Sequence, residues 1–175
     1  TCALPISMGQ GTNSYSNVQL SRYVAAIANS GTVFDLSLLD KMTDSEGNLI
    51  KDFTPEATGH VDIADSTWDA VHQGMRAVIT DGSVSKIFKD LEVEIAGKTG
   101  TAQESRTRGN HAFFISYGPY TNPEICVTVN IPYGYSSSNA AMVAKNVYRF
   151  YYGYTDLESI LGSGALEVSN VKVGD

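Results

Sequence analysis

The chain is 175 residues long, 42 % hydrophobic and 18 % charged, which suits one domain with its own core and excludes wholesale disorder. Its formal net charge of −7 argues against nucleic acid or anionic lipid as a partner. No apolar run approaches the roughly 20 residues that cross a bilayer.

Taken in order, Thr1-Cys2-Ala3-Leu4-Pro5 has neither an initiator Met nor a basic, apolar signal pattern. It reads as the interior of a longer protein, whose targeting segment would lie upstream. Ser16 and Gln19 form a capping-box pattern ahead of a helix with Leu20, Tyr23, Val24 and Ile27 on one face and Gly31 as its stop. Val33 to Met42 and Leu49 to Phe53 are extended runs, expected to pair as a surface hairpin through the turn residues Asp44-Ser45-Glu46-Gly47-Asn48. A second helix is predicted from Ser66, with Trp68, Val71, Met75, Val78 and Ile79 as a buried stripe. Asp81-Gly82 ends it, and Ser83 is expected to cap a short helix through Leu91.

The pattern then changes to period two. Val93 to Gln103, Ala112 to Tyr117 and Ile125 to Ile131 are predicted strands, the last two joined through Pro119-Tyr120-Thr121-Asn122-Pro123. After Gly134-Tyr135-Ser136-Ser137-Ser138, Asn139 is expected to cap a helix to about Tyr152, packing Ala141, Val143, Ala144 and Val147 on the sheet. Residues 154–175 are expected as a tail or the start of a linker, leaving 1–153 as one unit. Helices, a three-strand antiparallel meander and a covering helix make an α+β arrangement. Cys2 and Cys126 build no disulfide framework, and Cys126 is expected as a small core hydrophobe. His60, His72 and His111 lack paired ligand spacing, so neither a metal nor another cofactor is expected.

One segment carries chemistry: Ala96-Gly97-Lys98-Thr99-Gly100-Thr101-Ala102-Gln103. A phosphate loop would need glycine where Glu92 stands and a helix directly after Thr99, so that reading fails. Strand alternation instead puts Thr99 and Thr101 on one face, where their hydroxyls can hold a carboxylate. Gly100 points the other way and admits a close approach. Lys-Thr-Gly is a signature of serine acyltransferases of the penicillin-binding and β-lactamase kind. Lys98 would bring a fixed positive charge to a site where a serine loses its proton and an oxyanion forms.

The flanking residues narrow this. Ser7-Met8-Gly9-Gln10-Gly11 with the helix opened by Val18-Gln19-Leu20, then Gly74-Met75-Arg76-Ala77-Val78, then Lys98-Thr99-Gly100-Thr101-Ala102-Gln103, His111-Ala112-Phe113-Phe114 and Asn122-Pro123-Glu124, together resemble the class B penicillin-binding proteins. The resemblance runs from Ser7 to Tyr152 and implies the C-terminal half of their transpeptidase fold. It implies a D,D-transpeptidase that cross-links peptidoglycan stem peptides ending in D-Ala-D-Ala at the extracytoplasmic face of the bacterial membrane, and that β-lactams acylate. By position, Lys98 would help activate the serine, Thr99 and Thr101 would bind the carboxylate beside Gly100, and the Thr101 N–H would join the oxyanion hole. The family's S-x-x-K nucleophile and S-x-N element precede the S-x-G-Q-G segment, so both are expected upstream and these residues alone are expected to be inactive.

Two strings imitate those elements. Ser83-Val84-Ser85-Lys86 spells S-x-x-K but stands 12 residues before Lys98 with no S-x-N between, and Ser137-Ser138-Asn139 spells S-x-N after the Lys98 strand. The competing functions are a β-lactamase or D,D-carboxypeptidase of the same superfamily and a non-catalytic β-lactam sensor or scaffold. In the family fold, N-terminal strands pair with the Ile125–Ile131 strand. The expected partners are therefore that N-terminal half, or a second copy meeting the open strand edge.

Overall fold

The computed structural model describes residues 15–103 and 107–164; the Ser7–Gly11 segment and Cys2 lie outside them. Helix α1, Asn17–Ala28, opens with the predicted capping box. Ser16 Oγ accepts from Gln19 N at 3.3 Å and Gln19 Oε1 accepts from Ser16 N at 2.8 Å. Its buried residues are Val24, Ala26, Ile27 and Ala28, whereas Tyr23, expected on that face, is 57 % exposed.

Four short strands follow: β1 Thr32–Phe34, β2 Lys41–Thr43, β3 Leu49–Asp52 and β4 Ala57–His60. The two extended runs pair only partly with each other. β2 pairs with β3 around Asp44, whose carboxylate accepts from the Glu46 and Asn48 amides. β1 turns away to pair with β4, a strand that its polar Ala57-Thr58-Gly59-His60 sequence does not announce. Arg22 of α1 fixes that choice, with Nε donating to Phe34 O at 2.7 Å and Nη2 to Asp35 Oδ1 at 2.9 Å and Thr58 Oγ1 at 2.8 Å.

Helix α2, Asp65–Thr80, buries Trp68, Met75 and Ile79. Helix α3 is only Ser85–Phe88, and its N-cap is Val84 with no side-chain bond, so Ser83 stands outside the helix it was expected to cap. Strands β5 Ala96–Ala102, β6 His111–Gly118 and β7 Ile125–Ile131 form the antiparallel meander in the order β5-β6-β7. Helix α4, Ser137–Tyr151, is capped by Ser136 Oγ, which accepts from Ser138 N at 3.3 Å. Asn139, expected to cap it, donates instead to Gly134 O at 2.8 Å.

The face of α4 also differs from expectation. Ala140, Ala141, Ala144 and Tyr148 are buried, while Val143 and Val147 point outward. Small alanines let the helix approach the sheet, and the Tyr148 hydroxyl donates to buried Ser116 Oγ at 3.0 Å, which fixes the helix rotation. Within the expected tail, Leu157–Gly164 form helix α5, opened by Asp156 Oδ1 accepting from Ser159 N at 2.6 Å.

Two apolar clusters flank the sheet. Phe114, Ala112 and Val127 meet α4, Ile79, Val84, Phe88 and Ile95 in one, where the Phe88 and Phe114 rings stack 5.3 Å apart. Ala96 and Tyr117 meet Val24, Ile27, Ala28, Trp68 and Met75 in the other. Directly opposed residues of paired strands share a face. Thr99 opposes Phe114 and Lys98 opposes Ile115, so the two clusters mark which way each β5 side chain points.

Gly97 is where these layers leave least room. A Cβ there would stand 2.7 Å from Phe114 Cζ and 2.9 Å from Ile115 O. Overpacking of this kind costs about 1–3 kcal/mol. Gly97→Ala is expected to lower the urea midpoint accordingly at unchanged slope; a wild-type midpoint would show that the Phe114 ring moves aside freely.

Candidate active site

Lys98, Thr99, Gly100 and Thr101 lie in the middle of β5, whose second margin has no strand partner among the described residues. Lys98 shares the face of Ala96, toward α1 and α2, and Gly100 follows it. Thr99 and Thr101 share the opposite face with Phe114 and Ala112, as alternation predicts. Lys98 and Thr101 are exposed, Thr99 and Gly100 half-buried. The charged group and the two hydroxyls therefore flank one strand margin from opposite sides.

In an antiparallel ladder each residue sends both its N–H and C=O the same way, and alternate residues agree. Thr99 and Thr101 accordingly aim their backbone groups in one direction. Lys98 Nζ donates to Thr99 O at 2.9 Å, which folds the ammonium back onto the strand.

Beside Gly100 stands His111-Ala112-Phe113-Phe114, whose sequence marks a strand but not a place in the site. A Cβ on Gly100 would stand 3.2 Å from Phe113 Cβ, so the two strands lie tightly together there. His111, opposite Ala102, packs its ring 4.8 Å from Tyr133 and 6.5 Å from Phe113, and its Nδ1 accepts from Tyr133 N at 3.2 Å. Arg108 lies 5.5 Å from the Tyr133 ring and donates to its hydroxyl at 2.9 Å. An aromatic rim thus borders the Lys98 face. Only the strand register reveals it, because Tyr133 belongs to a loop 20 and more residues along the chain from His111.

At the other end of β5, Arg76 of α2 donates from Nη1 to Ile95 O at 2.8 Å and from Nη2 to Glu94 Oε1 at 2.6 Å. His72, by contrast, is structural: its Nε2 donates to Ile27 O at 2.8 Å, and its ring sits between Trp68 and Tyr117. Among the described residues no group of three His, Cys, Asp or Glu side chains is arranged to hold a metal ion.

Neither decoy string joins this site. Lys86 lines a groove with Met142, Lys145 and Arg149 of α4, on the Phe114 side of the sheet, away from Lys98. Ser137, Ser138 and Asn139 form the first turn of α4, where Ser138 N donates to Ser136 Oγ and Asn139 Nδ2 to Gly134 O.

A family model described as penicillin binding protein transpeptidase domain matches residues 3–149. The peptidoglycan D,D-transpeptidase MrdA of Haemophilus influenzae is 29 % identical over 168 residues, which cover 85 % of this chain and 25 % of that one. Penicillin-binding protein 2B of Streptococcus pneumoniae is 31 % identical over 162 residues, 85 % of this chain and 24 % of the relative. The solved structure of that protein superposes with a TM-score of 0.71 at 27 % identity, covering 82 % of this chain and 25 % of it. The imipenem acyl-enzyme of penicillin-binding protein A from M. tuberculosis shares the fold, with a TM-score of 0.72 at 22 % identity over 83 % of this chain and 33 % of that one. The chain spans about a quarter of the length of these curated relatives.

A thiol lies within the sheet itself. Cys126 opposes Tyr117 on β7, half-buried against the Trp68 cluster, and burial pushes its thiol from 9.0 to about 11. The thiolate, not the thiol, reacts. Burial therefore leaves far less thiolate near neutral pH, so Cys126 is expected to alkylate markedly more slowly in the folded chain than in urea. Peptide mapping after iodoacetamide checks this; equal rates would mark Cys126 as a reactive site.

Proposed function

Because the chain belongs to the penicillin-binding protein transpeptidase family, in its class B branch, we propose that it forms the strand side of a peptidoglycan D,D-transpeptidase site. The observation that carries this is the Lys98-Thr99-Gly100-Thr101 run, with Lys98 and Thr101 exposed, along a strand margin that has no strand partner among the described residues. A stem peptide ending in D-Ala-D-Ala lies along that margin as an added strand. Its backbone meets the outward groups of Thr99 and Thr101, with Lys98 on one side and the threonine hydroxyls on the other.

The nucleophile is a serine of an upstream S-x-x-K element in the same protein. Its Oγ bonds to the carbonyl carbon of the penultimate D-Ala, the C–N bond to the terminal D-Ala breaks, and the serine proton ends on the departing amine. An amine of a neighbouring strand then takes the acyl group and returns the proton to the serine. Lys98 holds positive charge beside the serine as it loses its proton, and the Thr101 N–H donates to the developing oxyanion. Thr99 and Thr101 hydroxyls donate to the substrate carboxylate. A β-lactam follows the same first step with its ring C–N bond breaking, so its amine stays attached.

The protein works at the extracytoplasmic face of the bacterial membrane, held by an upstream segment. No helix among the described residues is long and apolar enough to cross a membrane. Residues 1–153 belong to the transpeptidase domain and 154–175 lead toward a further module. The margin of β7 that has no strand partner among the described residues receives N-terminal strands of the same domain, or a second copy where those strands are absent.

Intact-mass measurement of the 175-residue chain with excess benzylpenicillin is expected to show no adduct, whereas the protein with its upstream S-x-x-K gains one penicilloyl group. In that longer protein Lys98→Ala is expected to slow acylation by about 100-fold or more. An adduct on Ser83 in the chain alone, or wild-type acylation by Lys98→Ala, would overturn the proposal.

A further inference from the structure

The start of β5 is held by a cation that the reaction itself does not use. Arg76 is mostly buried, with 22 % of its side chain exposed. Its planar fork takes the Ile95 carbonyl with Nη1 and the Glu94 carboxylate with Nη2, at 2.8 and 2.6 Å. The guanidinium lies 5.7 Å from the Tyr120 ring, and Tyr120 N donates to Glu94 O at 2.7 Å. Helix α2 and the β6–β7 turn therefore converge on the two residues immediately before β5. Ile95 is fully buried, so its carbonyl has lost water and accepts a charged donor in exchange.

This clamp bears on Lys98 through register. Side chains alternate across a strand, and a one-residue slip would put Lys98 on the face of Thr99. Only Ala96 and Gly97 separate the clamped Ile95 from Lys98. β5 is also hydrogen-bonded to a strand on one side only among the described residues, so the ladder alone restrains it less than it does β6. We infer that Arg76 is a positioning residue for Lys98: by fixing the Ile95 carbonyl it holds the phase and tilt of β5 that bring the lysine ammonium to the reacting serine. This rests on the transpeptidase reading. A misplacement of about 1 Å at such a group costs on the order of 100-fold in rate.

Arg76→Met keeps the apolar stem and removes the fork. Glu94→Gln keeps the bond to Ile95, and Arg76→Lys restores a single charged donor. In the 175-residue chain, Arg76→Met is expected to speed hydrogen exchange of the 96–102 amides about tenfold or more, with β7 and α4 amides unchanged. In the protein carrying its upstream serine, the acylation rate constant of Arg76→Met with benzylpenicillin falls about tenfold or more while the preceding non-covalent affinity stays within about twofold. Arg76→Lys recovers part of that rate, and Glu94→Gln stays near wild type.

Exchange that rises equally in β5, β7 and α4, or an acylation constant untouched by Arg76→Met, would overturn the inference by reducing Arg76 to a general stabiliser. If the wild-type longer protein is not acylated at all, the transpeptidase reading fails. Exchange at 96–102 then still decides the clamp: unchanged protection refutes it.

Discussion

β6 is hydrogen-bonded to a strand on each side, buried on the Phe114 face and half-buried on the other up to the buried Tyr117, and its neighbours take their positions from it. Phe114 and Ser116 look into one cluster, Tyr117 into the other. A strand in that situation cannot slip by one residue without turning Phe114 and Tyr117 each into the wrong layer. β5 takes its register from this pairing and is held at its start by Arg76, so the direction of Lys98 depends on where Phe114 packs as well as on that clamp. The chemistry-bearing strand is at the sheet's margin; the strand that orders it is at the centre.

The polar interactions that matter structurally are those with little access to water. Tyr148, Ser116 and the Val127 carbonyl form a buried chain that joins α4 to the middle of the sheet. Burial also pushes the Tyr117 phenol up to about 12, so it stays neutral within the Trp68 cluster. The Lys145–Asp90 pair holds the Asp90 carboxyl below its usual range, yet Asp90 is exposed, and such pairs add little to stability. Packing sets this fold, and the arginines at its joints, Arg22 and Arg76, select among arrangements that packing alone would permit.

The same division bears on the acyl transfer proposed for the margin of β5. Catalytic donors must be fixed before the charge they stabilise appears. A strand margin offers backbone N–H groups with no freedom to reorient, and substrate can complete the ladder. The rim of Phe113, His111 and Tyr133 gives that margin an apolar border on the Lys98 side. Penicillin-binding protein 2B of Streptococcus pneumoniae, 27 % identical in its solved structure, keeps the same fold.

The amino-acid sequence by itself determined the elements with strong local signals. The Ser16–Gln19 box, the Trp68–Met75–Ile79 stripe, the bounds of β7 and the alternation that separates Lys98 from Thr99 and Thr101 are all readable from one stretch of chain. Residues whose role depends on a distant partner were not. Ala57–His60 became a strand because Arg22 and β1 hold it, and Val143 and Val147 yielded the buried face to alanines and Tyr148. Arg76 and Tyr133 gained their places only when α2 met the start of β5 and a loop met His111. Periodicity records which side of an element is apolar; which partner covers that side is settled by long-range packing, which no local window contains.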